Sequence, residues 1–140
     1  MTVPDQGRPD PPPPPAWLDV TIRVAGWVFA VWGAVASAVL EAFLTPLRFH
    51  GYRMPLSLLL AAVLNAGLVV FAYRVTGRRA AVVASALAWF VVEVVCAGGT
   101  AEGDIVLAAN NWVAIGLLLV GTLTLAVAAY LVVIPRPHRN

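Results

Sequence analysis

The sequence predicts an all-α polytopic membrane protein: a four-transmembrane-helix bundle behind a disordered, Pro-rich N-terminal tail. Three observations carry that expectation. Of the 140 residues, 61% are hydrophobic and only 11% are charged, whereas a soluble domain is roughly 25% charged; the mean hydropathy is +0.86. The apolar residues fall into four blocks, each long enough at ~1.5 Å per residue to cross a hydrocarbon layer of ~30 Å. No block alternates with a period of two and turn signals do not recur at short intervals, which argues against a β-barrel.

Residues 1–16 carry Pro4, Pro9 and an unbroken Pro11 to Pro15. They have too few apolar side chains to bury a core, so they read as a polyproline II or disordered tail that serves as a spacer. The transmembrane domain is expected over 17–134. Its first helix spans about 20–44, with Trp17 and Arg23 placed as interfacial anchor and snorkelling cation. A secretory signal cut near Ala36-Ser37-Ala38 is the rival reading of this block. The long, Pro-rich, acidic preceding region and the continuation of the apolar run past that point argue against it. The second helix is expected over about 55–73, opened by Pro55, and the third over about 80–97, stopped by Gly98-Gly99. The connector from Arg74 to Arg79 is short, which requires an antiparallel hairpin. The fourth helix spans about 112–134, with Asn110 or Asn111 as N-cap and Pro135 as stop. Gly98 to Leu107, with Glu102 and Asp104, reads as a polar loop. Ile105 to Ala109 either lies along the interface or adds a turn to the fourth helix. Residues 135–140 form a second short tail.

All nine basic residues are arginine, and they stand singly or in pairs between apolar runs. The formal charge of +2 therefore marks topology and not a nucleic-acid stripe. Seven arginines (Arg8, Arg23, Arg74, Arg78, Arg79, Arg136, Arg139) fall on one side of the expected membrane and two (Arg48, Arg53) on the other. The positive-inside bias then places both tails in the cytoplasm.

On the first helix Gly26, Ala30, Gly33, Ser37 and Glu41 recur at steps of three and four. Small residues on one face let helix backbones approach closely in lipid, so Gly26, Ala30, Gly33 and Ser37 form a candidate packing stripe, within the chain or between subunits. Glu41 and Glu93 are the sharpest features, because a carboxylate inside an apolar helix costs ~2.5–3.5 kcal/mol even on insertion scales. Ser85, Trp89, Glu93 and Cys96 share a face of the third helix. Arg48, His50 and Arg53 lie in the loop on the same side of the membrane. The acids are expected either to snorkel or to pair with Arg48 and Arg53; the functional alternative is a polar pocket for a proton, a cation or a basic ligand. Carboxyls held close together favour retaining a proton, since like charges at short range repel. Asn65, midway along the second helix, is expected to hydrogen-bond across a helix interface, or to touch a substrate. These five residues, Glu41, Glu93, Arg48, Arg53 and Asn65, form the candidate polar cluster.

No metal site, cofactor or catalytic residue is expected. His50 and His138 fall on opposite sides of the membrane, Glu102 and Asp104 are too few for a calcium cage, and no phosphate-binding Gly motif or nucleophile elbow occurs. Cys96 is the only cysteine and reads as packing.

The stretch Ala101-Glu102-Gly103-Asp104-Ile105-Val106-Leu107, between a helix with Ala88-Trp89-Phe90 and an Asn-Trp helix start, resembles small four-span integral membrane proteins of actinobacteria. The resemblance covers about residues 20–134. It implies a bacterial plasma membrane and this architecture, but no activity, since none is established for that group. Two roles follow from the residues. One is a non-enzymatic subunit or assembly partner of a membrane complex. The other is an oligomeric carrier or channel that uses Glu41 and Glu93; association is needed because four helices enclose little pathway. Membrane-embedded catalysis would need groups from a partner.

Overall fold

The computed structural model describes residues 15–98, 107 and 110–134. The Pro-rich segment before Pro15, most of the Glu102–Asp104 loop and the tail from Pro135 lie outside the described residues. The described chain runs α1 (Ala16–Leu44), a two-stranded hairpin β1 (Arg48–Phe49) and β2 (Tyr52–Arg53), α2 (Leu56–Thr76), α3 (Arg79–Ala97) and α4 (Trp112–Val133). All four helices are long and apolar enough to cross a membrane, and in lipid a helix is the form that satisfies its own backbone. The protein is a multi-pass membrane protein.

Two helices outrun their apolar blocks. α1 begins at Ala16, where Pro15 takes an extended conformation (φ −61°, ψ 137°), with Asp19 in its first turn favoured by the helix dipole. At 29 residues it is ~44 Å long and exceeds the hydrocarbon layer. Hydropathy alone misses its first turn, which extends past the apolar block. α2 continues beyond Tyr73 to Thr76, with Arg74 in its last turn, and stops at Gly77 in the left-handed region (φ 65°) that glycine enters without steric cost. α4 is capped by Asn111, whose side chain accepts from the Val113 N–H (3.1 Å) and donates Nδ2–H to the Thr45 carbonyl (3.1 Å).

The hairpin was not expected from the sequence. Arg48 pairs with Arg53 and Phe49 with Tyr52, around His50 (φ 51°) and Gly51 (φ 84°). Positive φ at both central residues is what a type I′ turn requires. With two residues per strand there is no alternation to read; the His50-Gly51 pair is the one signal.

Contacts between helix ends give the direction of each helix. Arg23 near the start of α1 donates to the carbonyl of Thr76 at the end of α2 (3.4 Å), and Arg79 at the start of α3 donates to Val133 at the end of α4 (3.5 Å). At the opposite end Asn111 meets Thr45, and Arg53 donates to Asn110 (3.5 Å). The bundle is therefore up-down-up-down, with an arginine-rich end and a hairpin end. α1 packs on α2 and α3, α2 packs on α4, and α3 barely touches α4.

Side chains are distributed inside out relative to a soluble bundle. The interior holds Ala30, Ala34, Ala38, Ala42, Ala61, Ala72 and Ala81 together with polar Ser37, Glu41, Ser57, Asn65, Ser85 and Glu93. The surface carries Phe29, Trp32, Phe43, Leu59, Val95 and Leu119. Water would penalise so much exposed apolar surface, but lipid does not, and close packing of small residues is what holds helices together there. The α1 stripe takes part in this within the chain. A Cβ at Gly26 would run into Val75, and one at Gly33 would lie 2.9 Å from Leu68 Cδ2; Ala30 and Ser37 are buried on the same face.

Candidate functional site

Glu41 and Glu93 are both fully buried. Their placement follows from helix periodicity: Ser37 and Glu41 lie one turn apart on the buried face of α1, and Ser85, Trp89 and Glu93 at steps of four on that of α3. Each acid thus points inward because the large apolar residues around it take the lipid face. Between α1 and α2 the register is antiparallel, with Gly26 beside Val75 and Gly33 beside Leu68. Continued toward the hairpin, it sets Glu41 level with Leu60 and Ala61, and Ser37 level with Leu64 and Asn65. Ser57, Ala61 and Asn65 are all buried at steps of four on α2.

Trp89 joins the helices. Its indole fills the space where a Cβ of Gly121 on α4 would stand, and its Nε1–H donates to Glu41 Oε2 at 2.9 Å. That gives one carboxylate oxygen a neutral donor. Glu93 stands one turn further along α3 from Trp89, on the same buried face.

The remaining polar atoms are orphans. Glu41 Oε1, both oxygens of Glu93, both side-chain atoms of Asn65 and Ser57 Oγ are buried with no hydrogen-bond partner among the described residues. The other buried hydroxyls close on their own helices, Ser37 to Ala34, Ser85 to Ala81, Thr45 to Ala42 and Thr76 to Ala72.

The expected pairing with arginine does not occur. Arg48 is exposed, and Arg53 is half-buried and donates to the Asn110 carbonyl. The hairpin is the physical cause: it pairs Arg48 with Arg53 at the bundle end, while the acids sit on inward faces of α1 and α3. Neither acid snorkels. The single ion pair among the described residues is Arg23 with Asp19 (2.8 Å), four residues apart on α1 at the arginine-rich end. Asn65, expected to bond across an interface, has no such bond. Of the five cluster residues, Glu41, Glu93 and Asn65 are each buried in the bundle interior, and Arg48 and Arg53 are not.

No family model, curated protein or solved structure matches this chain. The buried carboxyls of Glu41 and Glu93 carry oxygen atoms suited to a proton or a hard cation. No group of three His, Cys, Asp or Glu able to hold a metal ion occurs among the described residues. Sequence reasoning missed two members. Ser57 was readable from its four-residue steps to Ala61 and Asn65. Trp89 was seen to share a face with Glu93, but its bond to Glu41 depends on which helices become neighbours.

Proposed function

We propose that this chain is a non-enzymatic membrane carrier that binds a proton or a monovalent cation at Glu41 and Glu93, acting as a homo-oligomer in a bacterial plasma membrane with both termini cytoplasmic. The observation that carries the reading is the set of orphaned, fully buried carboxylate oxygens. A charge buried in apolar surroundings without a partner costs far more than a hydrogen-bonded one, and among the described residues no arginine pairs with either acid. A proton or cation from outside the chain balances them. The rival role, a subunit docking on a larger complex, rests on the small size of the chain, the absence of catalytic motifs in its sequence and the small-residue stripe, of which Gly26 and Gly33 pack against α2.

Reconstitution into proteoliposomes tests the reading. Wild-type protein is expected to move protons or sodium down an imposed gradient. Glu93→Gln should lower the rate by about tenfold or more, as loss of a charged ligand group worth ~1.5–3 kcal/mol requires, while the protein stays folded on gel filtration. Wild-type vesicles as tight as protein-free ones, or a Glu41→Gln/Glu93→Gln protein with undiminished flux, would refute it. The orientation rests on the seven arginines against two. Cysteines placed at residues 2 and 139 of a Cys96→Ala protein should react with an impermeant thiol reagent only after cell lysis, and labelling of intact cells would reverse the assignment.

A further inference from the structure

The arginine-rich end holds a feature that the buried acids do not explain. An open-sided cavity of about 520 Å³ is lined by Val20, Arg23, Val24, Trp27, Val28 and Arg78, within the ~300–1,000 Å³ range typical of ligand sites. Val20, Val24 and Val28 recur at steps of four and are all more than half exposed, so they form an apolar strip along α1. Arg23 stands within that strip. Its guanidinium lies over the α2–α3 turn, with Nη1 donating to the Thr76 carbonyl and Nε to Asp19. Arg78 comes from the turn itself, and its side chain makes no hydrogen bond among the described residues. Asp19 offsets one positive charge, and Arg74 and Arg79 add two more exposed ones at the same end. From the two guanidiniums, Val24, Trp27 and Val28 lead along α1 into the membrane.

We propose that this groove binds an anionic phospholipid of the surrounding leaflet, its phosphate held by Arg23 and Arg78 and an acyl chain laid on Val24, Trp27 and Val28. Charge complementarity selects the occupant: two cations at the edge of the bilayer attract anionic headgroups, arginine matches phosphate in a forked geometry, and the strip beyond is too apolar for a soluble anion. The site is independent of Glu41 and Glu93.

The test is native mass spectrometry and thermal melting of the full chain in nanodiscs of phosphatidylglycerol or of phosphatidylcholine. Wild-type protein should keep phosphatidylglycerol through detergent exchange and melt higher with it than with phosphatidylcholine. Arg23→Gln/Arg78→Gln should reduce retention by about tenfold or more, whereas Arg48→Gln/Arg53→Gln at the other end should leave it unchanged. Asp19→Asn, which frees Arg23 Nε, should increase retention, a gain that misfolding cannot mimic. Equal retention of the two lipids, or equal losses at both bundle ends, would overturn the proposal. So would displacement of the lipid by millimolar inorganic phosphate, which would assign the groove to the free anion. Disulfide cross-linking of Val24→Cys between two copies in a Cys96→Ala protein would assign it to self-association and overturn the proposal as well.

Discussion

Trp89→Ala is expected to be the most damaging single substitution in the described chain, lowering stability by about 3–5 kcal/mol from the lost burial and the cavity left behind. Trp89 is the largest fully buried side chain, and it crosses from α3 to Gly121 of α4, two helices that otherwise scarcely touch. Removing it opens that seam and strips Glu41 Oε2 of its one donor, for about 1–3 kcal/mol more. Trp89→Phe separates the two effects, since it keeps most of the ring and loses the N–H; it should cost only the second amount. Gly121 must stay glycine for the same reason, so Gly121→Val should resemble Trp89→Ala in effect. Chemical unfolding in mild detergent by added dodecyl sulfate measures all three. Equal stability of Trp89→Ala and wild type would mean that α3 and α4 are held by other contacts.

Glu93→Leu is expected to move stability in the opposite direction, up by about 1–3 kcal/mol, the penalty of a buried polar group without partners. Both carboxylate oxygens of Glu93 are orphaned, so an apolar side chain of similar length removes a cost and breaks no bond. Glu93→Gln should be closer to neutral, because it keeps the polarity and discards the charge. Both variants are expected to lose ion binding. A rise in stability together with a loss of function is the signature of a site retained against the interest of the fold. If Glu93→Leu instead unfolds the protein, the carboxyl is a structural tie and the carrier reading fails.

The helices were legible because lipid imposes a simple rule. Long apolar runs must be helical there, and the four blocks near 20–44, 55–73, 80–97 and 112–134 each hold one helix. Their ends were less legible where a charged residue interrupts the apolar run but not the helix, as Asp19 does in α1 and Arg74 in α2. Periodicity placed Glu41 on the small-residue face and Glu93 on the face with Trp89. It could not say which helix each face meets, so a pairing of the acids with Arg48 and Arg53 looked reasonable from their shared side of the membrane. That inference failed because proximity to one bundle end is not contact. The His50-Gly51 turn holds both arginines at the bundle end, away from the acids, a consequence of two positive φ angles that composition does not reveal.

Glu41 and Glu93, both buried within the bundle, are proposed to take up a proton or a monovalent cation. Labelling with a membrane-permeant carbodiimide, which couples to protonated carboxyls in apolar surroundings, tests this uptake most directly when the adducts are located by peptide mass spectrometry. Glu93 or Glu41 is expected to be modified, with labelling slowed by the transported cation and not prevented by a water-soluble nucleophile. Acids that stay unmodified, or that react with a water-soluble carbodiimide as readily as Asp19 does, would contradict it.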